Sequence, residues 1–257
     1  MAKTVSRFNV TPVKATALHH PEQIRLEPYG PVDNRDFYLV DEHGLLFAGS
    51  KLGPLVQIHA DHDPEREVLS LRFPDGTLVE GSAVADGEPL ETNFYGRPVP
   101  AREVEGPWSE ALSHYAGRDI RLLRVEHTGD GNDIEPVTLV STASVEELTR
   151  QGEAAGPLNP GRFRMTMEID GCTPHEEDGW AGREVRVGEA IIRVGEQVPR
   201  CVVTTQDPNT GLRDFPTLKV IKRYRGTTPD QELPFGVYAQ VVQPGLVRLG
   251  DPVEPGN

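Results

Sequence analysis

Pro199-Arg200-Cys201-Val202-Val203-Thr204-Thr205, followed at once by Asp207-Pro208-Asn209-Thr210-Gly211, is the stretch that decides how this chain folds. Its β-branched residues predict a strand over 198–205 with Cys201 near the head. Asp, Pro, Asn and Gly then turn the chain back, each through its own backbone preference. A thiolate is the form of cysteine that attacks electrophiles and binds metals, and a neighbouring guanidinium favours it over the thiol. On local chemistry alone the blander fate is favoured, because free cysteines are commonly buried as small hydrophobes.

The rest of the 257 residues frames that segment. A hydrophobic content of 37% supports one large domain or two modest ones. Aromatics are sparse at 6%, while 26 Gly and 23 Pro point to many turns and short strands rather than long helices. Acidic residues outnumber basic ones by 40 to 26, a formal charge of -14. A field of that sign repels phosphate backbones and anionic lipid, so neither nucleic acid nor membrane is an expected partner. Arg162, Arg164 and Arg200 stand in apolar or Gly/Pro-bounded segments and leave room for a local basic pocket. Two cysteines make no disulfide framework, Met1–Phe8 has no apolar leader core, and no run of about 18 apolar residues occurs. A reduced, cytoplasmic setting is expected.

Short β-rich runs alternate with turn signals in the N-terminal half. Phe37–Val40 and Leu45–Ala48 flank the Asp41-Glu42-His43-Gly44 turn, and Leu55–His59 reads as another strand. Val68–Phe73 returns through Pro74-Asp75-Gly76-Thr77 to Leu78-Val79. Residues 83–106, rich in Gly, Pro and Glu, read as irregular and set a domain boundary at 105/106. Beyond it, Trp108–Tyr115 reads as a short helix and Ile120–Val125 as a strand. Ser144-Val145-Glu146-Glu147 has the form of a capping box, with Ser144 as cap and Glu147 reaching back. A further helix is expected over Pro216–Tyr224, and strands over Arg164–Ile169, Ala190–Val194, Val237–Gln243 and Leu246–Leu249. The expected class is β-rich α+β. A small β-barrel or meander over 1–105 precedes a second β-barrel with a few peripheral helices over 106–257.

Few other motifs compete. His59-Ala60-Asp61-His62-Asp63 has metal-ligating residue types but lacks helical spacing, so an exposed strand-to-loop segment is expected. His175-Glu176-Glu177-Asp178 reads as a solvated charged loop, and Cys172, in a turn, as structural or incidental. On pattern alone Arg162 and Arg164 lie on the solvent face of a strand, and Lys14 is a surface lysine.

The block Arg200-Cys201-x-x-Thr204-Thr205 with Asp207-Pro208-x-Thr210-Gly211 closely resembles a MOSC domain, the family named after the C-terminus of molybdenum cofactor sulfurase. Pro216-Thr217-Leu218-Lys219, Phe235-Gly236-Val237-Tyr238, Pro244-Gly245 and Val247–Val253 continue the match, with Gly161–Arg164 and Glu177–Gly182 upstream. Pro12-Val13-Lys14 and Asp33–Phe37, with Val40-Asp41 and Gly44, resemble the N-terminal β-barrel of the amidoxime-reducing-component branch.

The resemblance implies a molybdenum pyranopterin cofactor (Mo-molybdopterin). In it Cys201 is the catalytic thiolate ligand of molybdenum; Lys14, Arg35, Arg164 and Arg200 contact the anionic cofactor, and Tyr238 lines it. Soft sulfur and fixed cations suit such a group. It also implies an oxidoreductase that reduces small N-hydroxylated compounds (hydroxylamines, amidoximes, N-hydroxylated bases) to the corresponding amines. Glu177 and Asp178 fall near the rim of the substrate site in that reading. With no cysteine-rich extension for an iron–sulfur cluster, electrons are expected from a separate ferredoxin, flavodoxin or cytochrome-type donor with its reductase. The same resemblance admits a non-catalytic cofactor carrier or persulfide relay through Cys201, and a family-level link to pyridoxal phosphate. The chain departs from the family pattern at Ala15, Ile134, Glu135, Thr166 and Pro199.

Overall fold

The computed structural model describes residues 2–256. Its N-terminal half carries β1 (Thr4–Phe8), β2 (Gln23–Glu27), β3 (Gly30–Pro31), β4 (Phe37–Asp41), β5 (Leu46–Phe47), β6 (His59–Asp63), β7 (Val68–Arg72), β8 (Leu78–Ser82), β9 (Pro89–Phe94), β10 (Arg97–Glu103), α1 (Trp108–Ala116) and β11 (Ile120–Val125). The remainder carries β12 (Val137–Ser141), α2 (Thr142–Gln151), β13 (Met167–Asp170), β14 (Glu184–Val187), β15 (Ala190–Pro199), α3 (Thr217–Arg225), β16 (Pro234–Gln243), β17 (Gly245–Arg248) and β18 (Val253–Pro255). The β-rich class expected from composition is the one observed.

Seven strands, in the order β1-β13-β12-β16-β15-β14-β18, form a sheet whose two edges nearly meet. Val5 N donates to Asp251 O at 3.0 Å, Gly250 N to Val5 O at 2.8 Å and Val253 N to Lys3 O at 2.9 Å. These bonds tie β1 to the chain entering β18, so the barrel leaves little unpaired edge. Val5, Phe8, Leu139, Ile169, Ile192 and Val237 are among the side chains that fill its interior. A half-barrel sheet, β5-β4-β11-β10-β9, stands beside the meander β6-β7-β8. All five residues of β4 are buried, which is why Phe37-Tyr38-Leu39-Val40 is apolar without alternation.

Sheet membership divides the chain differently from a cut at 105/106. β11 pairs with β4 and β10 in the half-barrel, and α1 packs its buried Trp108 and Leu112 into the same core. β1, by contrast, leaves the N-terminal segment to pair with β13, which lets Val5 and Phe8 reach the barrel interior. Strand pairing answers to register and burial, not to proximity along the sequence.

Other expectations shift for local reasons. Leu55–Gln57 belongs to a 3-10 turn (Gly53–Gln57) opened by Pro54, and the strand begins only at His59. The stretch read as irregular contains the β9–β10 hairpin, whose two-residue loop Tyr95-Gly96 has φ of 54° and 98°. Prolines at 89, 98 and 100 mask its alternation. Ser141, not Ser144, caps α2: Ser144 N donates to Ser141 Oγ at 3.1 Å, while Glu147 turns to Arg150. β15 ends at Pro199, so Cys201 follows a strand rather than heading one.

Candidate functional site

Cys201 opens a 3-10 turn, Val202–Thr205, and is exposed. The two threonines wind that turn: Thr204 Oγ1 donates to Cys201 O at 3.0 Å and Thr205 Oγ1 to Val202 O at 2.7 Å. The turn is also held from behind. Thr217 Oγ1 and Arg162 Nη1 donate to Thr204 O at 2.6 and 3.2 Å. Arg162 grips Asp214 through both terminal nitrogens, at 3.1 and 2.9 Å. Arg162 is therefore an internal brace, neither a solvent-facing residue nor part of a basic pocket. On the other flank Gln206 Nε2 donates to Gly49 O at 2.9 Å. Gly211 lies so close to Gly53 that a Cβ on it would come within 2.1 Å of backbone, which explains the glycine closing the motif.

Arg200 turns away from its neighbour. Its Nε donates to Phe235 O at 2.8 Å and Nη1 to Phe163 O at 3.2 Å, Nη2 approaches Met165 Sδ, and the guanidinium lies over the Phe163 ring. Burial lowers its pKa to about 10, against the favourable fields of Tyr238, Cys201 and Asp133. The pairing suggested by sequence adjacency is thus a through-space field and not a hydrogen bond. Tyr238, on β16, is buried and held up at about 12, first by burial and then by Asp133, so its hydroxyl stays a donor at neutral pH.

Lys14, Arg35 and Arg164 come from three distant segments and meet around one carboxylate. Lys14 Nζ lies 2.9 Å from Asp133 Oδ1 and donates to Gly131 O at 2.9 Å. Arg35 Nη1 lies 3.5 Å from Asp133 Oδ2, and its Nη2 donates to Arg164 O at 3.2 Å. Arg164 Nη2 in turn donates to Thr16 O at 2.8 Å. Burial pushes Lys14 down to about 8, opposed by Asp133 and helped by Arg35. It pushes Arg164 down to about 9, with Arg35 adding repulsion. Partial desolvation by the surrounding protein raises the half-exposed Asp133 carboxyl, but Lys14, Arg35 and Arg164 together lower it more, to about 2. Lys14 is accordingly no surface lysine, and Arg164 follows a 3-10 turn rather than riding a strand face.

Backbone conformation at the cluster is unusual. Ala15, Asp33, Arg35 and Arg164 have φ of 76°, 57°, 62° and 51°, all in the left-handed region. Such conformations cost on the order of 1 kcal/mol or more each in a non-glycine residue and gather at functional sites. A cluster of Lys14, Arg35, Arg164 and Arg200 against the one carboxylate of Asp133 carries uncompensated positive charge within a chain of formal charge -14. That donor set, with an exposed thiol beside it, fits an anionic group that also takes a sulfur ligand.

Sequence reasoning missed Asp133, Gly131 and Tyr95. A Cβ on Gly131 would stand 1.8 Å from Arg35 O, so only glycine lets its loop approach Lys14 and Arg35. Tyr95, on the hairpin hidden by prolines, is exposed and feels both Asp133 and Cys201. Of the departures from the family pattern, Ala15 adopts the left-handed turn beside Lys14. Thr166 exchanges hydrogen bonds with Thr138, and Glu135 meets Gln240 at 2.9 Å. Ile134 is exposed, and Pro199 closes β15.

The histidine motifs fall elsewhere. His62 is buried on β6 and pairs with Asp33 at 2.6 Å, so the segment is not uniformly exposed. No group of three or more His, Cys, Asp or Glu side chains able to hold a metal occurs among the described residues. His175–Asp178 is not a solvated loop: Glu177 is buried and accepts from Ser141 N and Ser144 Oγ at 3.1 and 2.7 Å. That burial takes Glu177 off any substrate rim. Cys172 packs against the barrel core, its thiol pushed up to about 12 by burial and nearby glutamates.

Comparison with known proteins bears on this geometry. The MOSC domain family matches residues 126–254, a span that holds Cys201, Arg164, Arg200, Tyr238 and Asp133. The chain belongs to the MOSC domain family. Among its relatives, mitochondrial amidoxime reducing component 2 of Bos taurus is 34% identical over 250 residues, 87% of this chain and 73% of the relative. Mitochondrial amidoxime-reducing component 1 of Danio rerio is 34% identical, covering 97% of this chain and 83% of its own. The Mus musculus component 1 is 27% identical over 88% of this chain and 73% of its own. This MOSC protein therefore matches amidoxime-reducing components across both its half-barrel and its barrel. No helix among the described residues is long and apolar enough to cross a membrane.

Proposed function

We propose that this MOSC protein is a molybdenum-cofactor-dependent oxidoreductase that reduces small N-hydroxylated compounds to amines with electrons from a separate donor protein. The observation that carries the reading is the exposed Cys201 thiol on a braced turn, with a cation cluster nearby in which Lys14 and Arg35 pair with Asp133 while Arg164 and Arg200 bond only to backbone carbonyls and a sulfur. The relatives named for amidoxime reduction supply the reaction class.

Cys201 Sγ would ligate the metal, its approach set by Thr204, Thr217 and Arg162 behind the turn. Lys14, Arg35 and Arg164 would hold the anionic end of the cofactor, with Arg200 adding field from beneath. Tyr238, which keeps its proton, would line the same space. Bound there, the cofactor would supply two-electron chemistry, by which an N–OH compound, two electrons and two protons become the N–H compound and water. Relatives named as an amidoxime-reducing component support a separate donor, of ferredoxin, flavodoxin or cytochrome type. A cytoplasmic setting accords with that supply of electrons.

Expression in a host that makes the cofactor, with molybdenum measured by mass spectrometry and amidoxime reduction driven by a chemical reductant, tests the reading. Metal with turnover, both lost in Cys201→Ser, is the expected result. Metal without turnover would make the chain a cofactor carrier, and metal retained in Cys201→Ser would remove the thiolate from its assigned role.

A further inference from the structure

Asp133 reaches the cation cluster from the solvent side. Its carboxylate meets Lys14 and Arg35 although the side chain is 49% exposed. The backbone around it is held unevenly. Arg97 Nη2 donates to the carbonyls of Asp130 and Asn132 at 2.8 Å each, and Gly131 is pressed against Arg35 O. Immediately beyond, Ile134 is 66% exposed. Rotating the Asp133 side chain outward would break its two ion pairs and leave the anchored Asp130–Asn132 segment in place.

The same cations cannot serve two anions at full strength. Lys14 and Arg35 are the groups assigned above to the anionic end of the cofactor, and Asp133 already holds both. We propose that Asp133 is a built-in competitor for this anion site, displaced when an anionic ligand takes Lys14 and Arg35. The proposal rests on the cofactor reading and adds a selectivity rule to it. A phosphate-type dianion offers more charge and more acceptor oxygens than one carboxylate and can displace it, whereas a small monoanion gains nothing by the exchange. Asp133 is then a specificity-determining residue that keeps common monoanions off the site.

The test uses the full chain made in a host that lacks the cofactor, with inorganic phosphate titrated by calorimetry at low ionic strength. Asp133→Asn is expected to bind phosphate about tenfold or more tightly, since one like charge a few ångströms away is removed. Acetate is expected to bind the variant and not the unaltered protein. Carbodiimide labelling of Asp133 in the unaltered protein reads displacement directly, whether or not the variant folds. It is expected to rise severalfold at saturating phosphate. Phosphate affinity that is equal or weaker in Asp133→Asn, absent from both proteins, or accompanied by unchanged labelling overturns the proposal. Any of these results, with molybdenum and turnover present in protein from a cofactor-making host, would leave the functional reading standing. Competition observed with no molybdenum in that host would sink the functional reading alone.

Discussion

Two buried polar networks meet at the stacked rings of Phe163 and Phe235, whose centroids lie 4.3 Å apart, and they differ in charge balance. Arg200 lies over Phe163 and belongs to the cation cluster with Lys14, Arg35 and Arg164. Arg225 lies over Phe235 and belongs to a closed network on the other side of the pair. There Arg225 pairs with Asp178 and donates to His175 Nδ1 at 2.7 Å, while Tyr224 OH meets His175 Nε2 at 3.1 Å. Nearby, Glu177 Oε1 accepts from Ser141 N and Ser144 Oγ, while its Oε2 is buried without a partner. Here one guanidinium faces two carboxylates, Asp178 and Glu177, so no positive charge is left over and the network behaves as scaffold. The cation cluster holds more cationic groups than carboxylates and opens to solvent at Cys201 and Asp133, which supports the anion-binding role proposed for it.

The contrast is sharpest in substitutions that act in opposite directions. Arg164→Met should lower molybdenum content about tenfold or more. It should leave the melting temperature of the cofactor-free chain unchanged or higher, because an uncompensated buried charge is removed. Elemental analysis and thermal unfolding measure the two effects, and a large loss of stability would break the comparison. Glu177→Ala should do the reverse, costing about 3 kcal/mol of unfolding free energy by stranding Ser141 N and Ser144 Oγ. Molybdenum per folded molecule should then be unchanged.

A smaller effect is expected behind the thiol. Arg162→Met removes the grip on Asp214 and Thr204 O and should cost about 2 kcal/mol, tempered by the partly exposed Asp214. Alkylation of Cys201 should quicken as its turn loosens; an unchanged rate would mean that Thr217 alone fixes it.

The smallest effect is a titration. Burial, then the Arg225 field, push His175 down from 6.5 to about 4. A depressed folded-state pKa means that folding excludes the proton. The contribution of His175 is therefore complete above pH 6.5 and is lost as pH falls toward 4. Its imidazole resonances should titrate near pH 4; a midpoint at the ordinary 6.5 would show the network to be open.

Much of this was legible before folding. Ile120–Val125 was read to the residue, and the hairpin of Phe37–Val40 with Leu46-Phe47 appeared where its turn signal stood. The β9–β10 hairpin was not legible, because its prolines face positions where register spares an N–H, something that sequence alone does not display. Ser144 carried the right motif for a cap and lost the role to Ser141, since the helix begins where β12 ends. Cys201, Arg164 and Tyr238 stand out only through the family resemblance, whereas Asp133 lies outside the motifs that carry it.

What the sequence by itself determined is the set of residues in the local device around the thiol, although the strand expected over 198–205 gives way to a 3-10 turn after Pro199. Cys201, Thr204, Thr205, Asp207 and Gly211 act on one another across a few residues, so their spacing already contains their hydrogen bonds. What only the tertiary structure decided is the charge balance of the site. The Lys14 ammonium and the Gly131 carbonyl it meets are 117 residues apart in sequence, and only the closing of half-barrel against barrel puts Asp133 between cations that burial had left short of partners.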